Sequence, residues 1–490
     1  MSIENLLKLV YSSDFQNWKD KNEEVFEGLF GAPNGRYPLT GKSVVQLRAP
    51  DVNFESGVPF AAYIRAGSAD KGRYGGFSFV VFPSLDEPAL VGLVVGTDGL
   101  APDEGVLGRP GHARKAQAIC AWLNKKFGQG QLVAWAKQDP TRTDADIPDV
   151  VRRSWPAFKK TFDRYGQWIY AIFKPFDNEK ATLEALTAFL DFTFAERGIE
   201  PLAPHRSSRD RITSEWFEHL MPQITRTTVR KLLDQKRYVV IQGPPGTGKT
   251  TMAQELLSEE FRGKGNIIQL HPNSTYETFI GGLAPLRSEK GLGFEFAPKP
   301  GFLMEAAEAA LSVAPDPYLL VIDEINRADL SKMMGEAIFL LEANPTQKRE
   351  IELAYDFGKP FHRRFALPEN LLVLGTMNSA DRSIAMVDVA IRRRFAFVSL
   401  WPQISVVAKH GCDLMRDRFR DMLDIFVDYA QDDSFHFVPG HSYFLEKDPE
   451  KAKDVLKTGL LPLLEEYLAQ NYVTGFGEQI RAYLQQIRSL

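Results

Sequence analysis

Two short strings in this chain have the residue types and spacing for phosphate chemistry. Residues 239–250 read VVIQGPPGTGKT, and residues 319–324 read LLVIDE. The first leaves an apolar run and breaks into Gly243, Pro244, Pro245, Gly246, Thr247, Gly248, Lys249 and Thr250, with Thr251 following. This matches G-x-x-x-x-G-K-[ST]. Its glycines let backbone N–H groups turn inward and cradle phosphate oxygens at a helix N-terminus. Lys249 is a point charge for the β- and γ-phosphates, and Thr250 offers a hydroxyl to Mg²⁺. The second string is a buried strand ending in Asp323 and Glu324. Asp323 would hold the metal through water, and Glu324 would polarise the attacking water. A P-loop string alone can be accidental. Both strings in this order, each closing an apolar strand, predict a nucleoside-triphosphate hydrolase using GTP or ATP with Mg²⁺.

A third strand end, LLVLGTMNSAD, puts Asn378 just past an apolar run. An asparagine there is ordinarily a turn former. Beside the Walker strand its amide can reach the γ-phosphate or the attacking water. Asp381, Arg382 and Ser383 follow, then a helical segment, VDVAIRRRF, with Arg392, Arg393 and Arg394. Three arginines can be a solvated helix end. Arginine also stabilises charge on a transferring phosphoryl group, often from a neighbouring subunit. Arg393 and Arg394 rank ahead of Arg392 for that role. No convincing nuclease set of clustered carboxylates is present. His436 and His441 bracket FHFVPGHSYF without a Cys or acidic ligand at suitable spacing, so they read as structural or nucleotide-adjacent residues, not metal ligands.

Such a site needs a parallel α/β sheet to position it. After residue 213 strands alternate with helices: YVVIQG, NIIQLH, YLLVIDE and NLLVLGTMN, with helices around 214–235, 249–262, 301–313 and 327–343. From 401 the strand signals end, and 403–430 and 450–490 read as a small helical lid. Residues 1–40 look helical, 44–97 look like strands, and 111–127 and 179–196 look like helices. The segment GIEPLAPHRSSRD reads as a linker. The expected order is therefore an α+β N-terminal domain over 1–200, a linker at 201–213, an α/β P-loop subdomain over 214–400 and a helical lid over 401–490. A hydrophobic content of 44% and a net charge of −4 fit a soluble protein with no global nucleic-acid footprint. Cys120 and Cys412 lie far apart and read as reduced core thiols. Without a signal segment or a membrane-length apolar run, the reading is cytoplasmic.

GPPGTGKT, IDEINRADLSKMMGEAIFLLE, GTMNSADRSIAMVDVAIRRRFAF and GHSYF together resemble the AAA+ motor subunit of McrBC-type, modification-dependent restriction systems. MNSAD fits that family's MNxxD signature, and the YETFIGG and PGFLMEA segments look familial. The resemblance covers about 225–470, with weaker likeness to MoxR and dynein-related AAA+ groups. It implies a ring-forming NTPase, commonly hexameric, whose sites are completed by an adjacent subunit's arginine. It implies roles for Lys249 and Thr250, Asp323 and Glu324, Asn378 and the Arg392–Arg394 cluster. It also implies a McrC-type endonuclease partner, and GTP as nucleotide, whereas ATP is the wider AAA+ default. The P-loop is blind to the base, so both remain open.

Residues 1–200 carry no motif that resembles a family, but by position they correspond to the module that, in McrB-like proteins, reads modified DNA or another target. Phe77, Phe79, Tyr74, Trp122 and Trp135 could stack on a flipped base, and Arg114, Lys115, Lys125 and Lys126 could meet phosphates. For each residue singly, a core aromatic or a solvated charge is the plainer reading. The competing whole-chain expectation is a MoxR-like chaperone that remodels a protein partner. A nucleotide-switched scaffold without turnover is disfavoured by Glu324 and Arg394.

Overall fold

The computed structural model describes every residue of the chain except 1, 32, 51–53, 56, 70, 288–293, 343–348 and 382–387. Residues 1–221 with 427–430 form one compact unit, and 222–426 with 431–490 form the other.

The second unit is built on a five-stranded sheet. Its order is 396–399, 238–243, 371–378, 318–323, 265–269, and every neighbouring pair is parallel. The strand period of two sends alternate side chains to opposite faces. Val239 and Ile241 join a core with Val229, Leu233 and Leu256, from helices 226–236 and 249–260. Tyr238 and Val240 face the other way, against Leu303, Met304 and Ala307 of helix 302–313. Both faces are therefore covered, which is why these strands read as continuous apolar runs. Each fully buried Val, Leu or Ile contributes about 1.5–3 kcal/mol, so the strand ends are anchored by the most stable part of the unit. The lid follows as helices over 404–410, 413–429, 449–460, 461–469 and 477–488.

Three helices expected from the sequence are interrupted. The stretch 214–235 is divided by Pro222, and a new helix starts at Arg226, where the Thr225 side chain accepts a hydrogen bond from the Thr228 N–H. The stretch 327–343 becomes a short helix at Leu330–Met334 and a 3₁₀ turn at 335–340, because Gly335 adopts φ +50°. The stretch 403–430 breaks at Gly411 and Cys412. In the segment read as a linker, 201–213, the structure has a helix, Ala203–Phe217. Pro204 sits near its N-terminus, where proline is tolerated, and Ile212 and Trp216 are buried. An antiparallel hairpin, Gly281–Arg287 with Phe294–Pro300, had no strand signal assigned to it.

The first unit holds a six-stranded antiparallel sheet in the order 45–48, 61–65, 77–82, 90–95, 169–173, 134–136. The last two strands were not anticipated. Helices 2–10, 18–28, 110–127 and 179–195 contribute to the core on one face. Phe77, Phe79 and Trp122 belong to that core, so they cannot stack on a base. Trp135 packs at the opposite face. Lys126 donates to Glu184 and Glu215, and Lys115 pairs with Glu196 at 3.6 Å, so these charges are committed within the unit.

One ionic contact ties the N-terminal segment to the 179–195 helix. Buried Arg36 donates to both oxygens of Asp191, at 2.7 and 2.5 Å, and the Tyr37 hydroxyl donates to the same carboxylate at 2.7 Å. Asp191→Ala leaves Arg36 buried and unpaired, and is expected to destabilise this unit by about 3–5 kcal/mol. Tyr37→Phe removes one hydrogen bond to a charged group and is expected to lose about 2 kcal/mol. Denaturant unfolding of the full-length variants checks this order, and equal losses would contradict the ionic account.

Candidate active site

The P-loop begins where the strand Tyr238–Gly243 ends. Gly246 and Gly248 have φ of +77° and +81°, which favour glycine, and Gly248 caps helix Lys249–Glu255. Thr247 is buried, and its hydroxyl donates to Pro244 O at 2.9 Å, bracing the turn. The Lys249 amine donates to Gly243 O at 3.0 Å and Pro244 O at 2.8 Å. Those acceptors are neutral. Burial lowers the Lys249 pKa to about 8, against the opposing pull of Glu324 and Asp323. A half-buried ammonium under this load is stabilised by an added anion. The loop therefore fits a polyphosphate.

Asp323 ends the Walker strand, and the Thr250 hydroxyl donates to its Oδ1 at 2.9 Å. This brings together two hard oxygen donors suited to Mg²⁺. A third residue joins them that the sequence reading did not single out. Thr376, buried on the strand 371–378, donates its hydroxyl to the same Oδ1 at 2.5 Å. It also accepts the Glu324 N–H at 3.1 Å. Glu324 has φ 55° and ψ 47°, a left-handed conformation that a glutamate rarely adopts. Thr376 therefore holds an unusual backbone in place. The only available signal was a hydroxyl inside an otherwise apolar run. The Glu324 Oε2 atom is buried and accepts no hydrogen bond, with Arg327 Nε 3.4 Å away. A carboxylate oxygen left with free lone pairs can take a proton from water.

The strand 371–378 lies between the P-loop strand and the Walker strand, and Asn378 pairs in register with Gly243. Its side-chain oxygen accepts the Ala380 N–H at 3.1 Å, so it also shapes the turn. Pro244, Pro245 and Thr251 complete the loop and the first helical turn around these groups. The arginines are elsewhere. Arg394 donates to Ala390 O at 2.6 Å, and Arg392 stacks on Phe397 with 5.4 Å to the ring centre. Arg393 is exposed. Among the described residues, none of the three bonds to the P-loop, Asp323, Glu324 or Asn378. Arg382 and Ser383 lie outside the described residues.

The lid touches the loop directly. Gly440 N–H donates to Pro245 O at 2.9 Å, and Ser442 N–H donates to Gly246 O at 3.0 Å. A Cβ on Gly440 would lie 2.0 Å from the Gly246 carbonyl carbon, so only glycine fits.

The AAA domain family of the dynein-related subfamily matches residues 238–395. The chain is 32% identical to the type IV methyl-directed restriction enzyme EcoKMcrB subunit of Escherichia coli (strain K12) over 353 residues, 66% of this chain and 75% of that protein. It is 25% identical to the type II restriction enzyme BsuMI component YdiS of Bacillus subtilis (strain 168) over 271 residues, 46% of this chain and 78% of that protein. A P-loop braced against a Walker carboxylate, a sheet of this order and an identity this extensive lead to one assignment: the chain belongs to the McrB-like family of AAA+ nucleoside-triphosphate hydrolases, a family of restriction-system subunits.

Proposed function

We propose that the chain is the motor of a DNA restriction or anti-phage defence system, a cytoplasmic ring of identical subunits, commonly six, that hydrolyses GTP or ATP to drive a McrC-like endonuclease on target DNA. The observation that carries the hydrolytic part is the convergence of Thr250, Asp323, Thr376 and Glu324 beside Lys249. Lys249 holds the β- and γ-phosphates, and the P-loop N–H groups hold their oxygens. Thr250, and Asp323 through water, would hold Mg²⁺, which would supply charge neutralisation on the phosphate oxygens. Glu324 takes the proton of the attacking water. Asn378 orients that water or the γ-phosphate. Arg393, which is exposed as Arg392 also is, reaches the site of the next subunit, with Arg394 as the alternative finger. GTP is favoured only through the family likeness, and competition between GTP and ATP in a turnover assay decides it.

Lys249→Ala is expected to abolish nucleotide binding. Glu324→Gln is expected to bind and assemble normally but to turn over about 10²–10⁴-fold more slowly. Thr376→Val is expected to keep nucleotide affinity and lower kcat at least about tenfold, with Thr376→Ser restoring most of it, because the hydroxyl acts on the Glu324 backbone. Arg393→Ala is expected to lower turnover about 10³-fold with little change in affinity. Mixed with Lys249→Ala protein it should regain activity at interfaces that carry two intact halves. Normal turnover in Glu324→Gln, or no recovery in any mixture, would overturn the corresponding assignment.

The first unit supports DNA as the target. A cavity of about 1330 Å³ opens on its sheet, lined by Phe60, Tyr74, Tyr165 and Trp168 together with Arg48 and Arg73. Arg48 donates to Ala69 O and Gly72 O and lies 5.6 Å from the Tyr74 ring centre. Aromatic faces beside a guanidinium held by backbone carbonyls suit a nucleobase and its phosphate. Duplex binding by the full-length chain should weaken steeply with salt. Tyr165→Ala and Trp168→Ala should each remove about 1–3 kcal/mol at constant salt. Absence of binding to plain, modified or single-stranded DNA at low salt would overturn this reading in favour of a MoxR-like role on a protein partner.

A further inference from the structure

The lid segment that rests on the P-loop also brings in a side chain with no role in the mechanism above. His441 opens a 3₁₀ turn at His441–Phe444 and is buried, 8% exposed. Its Nδ1 accepts the Gln403 N–H at 3.2 Å. A nitrogen that accepts from a backbone amide carries no proton, so the proton of the neutral ring is on Nε2. Burial depresses the His441 pKa to about 4, so the ring is neutral at ordinary pH and acts as a single-proton donor. Nε2 points at the loop: a Cβ on Gly248 would lie 3.7 Å from it. No described residue accepts a hydrogen bond from Nε2.

Three features fix what this donor can meet. Backbone bonds from Gly440 and Ser442 to Pro245 and Gly246 pin its position. It stands beside Gly248, the residue just before the phosphate-binding helix. The groups that define the γ-phosphate end, Thr250, Asp323, Thr376 and Glu324, bond among themselves and not to His441. The ring therefore approaches the loop from the lid side, away from the reacting phosphate.

We propose that His441 is a nucleotide ligand that donates through Nε2–H to an oxygen of the nucleoside 5′-monophosphate part, either on the α-phosphate or on the ribose. This rests on the P-loop's being the nucleotide site. The same ring is bonded to Gln403, at the start of the lid, so the contact links lid position to occupancy by a complete nucleotide. A pyrophosphate held by Lys249 at the β and γ positions has neither an α-phosphate nor a ribose and would not make it.

The test uses two substitutions on the full chain, because each keeps one half of the ring's bonding. His441→Asn keeps an acceptor near the Nδ1 position and loses the distal donor. His441→Gln places an amide N–H₂ near the Nε2 position. Dissociation constants are measured by calorimetry for GTP, GDP, ATP, ADP and Mg²⁺-pyrophosphate. His441→Asn is expected to weaken all four nucleotides about tenfold or more and to leave pyrophosphate unchanged. His441→Gln is expected to recover much of the nucleotide affinity. A 2′- or 3′-deoxynucleotide that binds the two variants alike assigns the contact to the ribose. If the deoxynucleotides keep the wild-type preference, the α-phosphate is the acceptor. Unchanged nucleotide affinity in His441→Asn would overturn the proposal, as would an equal loss for pyrophosphate, which would indicate general damage to the loop. Lys249→Ala serves as the control, since it removes binding of pyrophosphate and nucleotide alike if the P-loop is the nucleotide site.

Discussion

The Asp323 carboxylate is the point on which the second unit turns. One of its oxygens accepts from Thr250, at the start of the phosphate-binding helix, and from Thr376, on the strand inserted between the P-loop and Walker strands. Three elements far apart in sequence are thereby fixed to a single atom. The arrangement is possible only because the parallel sheet brings the C-terminal ends of its strands to one edge, where helix N-termini and loops also converge. The apolar faces hold the strands, and the polar groups at the ends are then held without a large hydrophobic contribution of their own. Asp323 does not simply stand ready as a ligand. It is oriented by donors on both sides, and the second donor also carries the strained backbone of Glu324.

Electrostatics divides the site into two regions. On the Walker side are two carboxylates with a half-buried ammonium whose pKa has fallen to about 8. On the lid side is a neutral imidazole. An incoming polyphosphate relieves the ammonium's desolvation, so its affinity is drawn largely from Lys249 and the loop amides. The neutral ring adds little charge energy but fixes geometry. That division separates the holding of phosphates from the positioning of what lies on the lid side.

The legible parts of the sequence were those whose chemistry is local. G-x-x-x-x-G-K-[ST] fixes its own loop geometry, and an apolar run ending in Asp-Glu fixes its own strand end. The position of Asn378 at a strand end was legible because it closes another such run. Thr376 was not, since a threonine in a strand is unexceptional, and its importance comes from a register that only the sheet order sets. The helix at 203–217 was hidden by Pro, Ser and Arg, residues that suit a linker as well as a polar-faced helix. In the first unit the aromatics named as base-stacking candidates turned out largely to be core. Aromatic strands cannot be assigned a face until the helix-covered side is known. The strands 134–136 and 169–173 were missed because each is short and isolated between helices.

A side chain on Gly440 would strike the Gly246 backbone, and one on Gly246 would strike Ser442 and Tyr443. Lid and loop must therefore vary together. A chimera that takes its lid from a relative would carry a foreign backbone path onto the native loop, and a misfit of a few tenths of an ångström there has no flexible side chain to absorb it. Domain exchange within this family thus has a natural grain. The P-loop and the turn at 440–444 must be inherited as a single part.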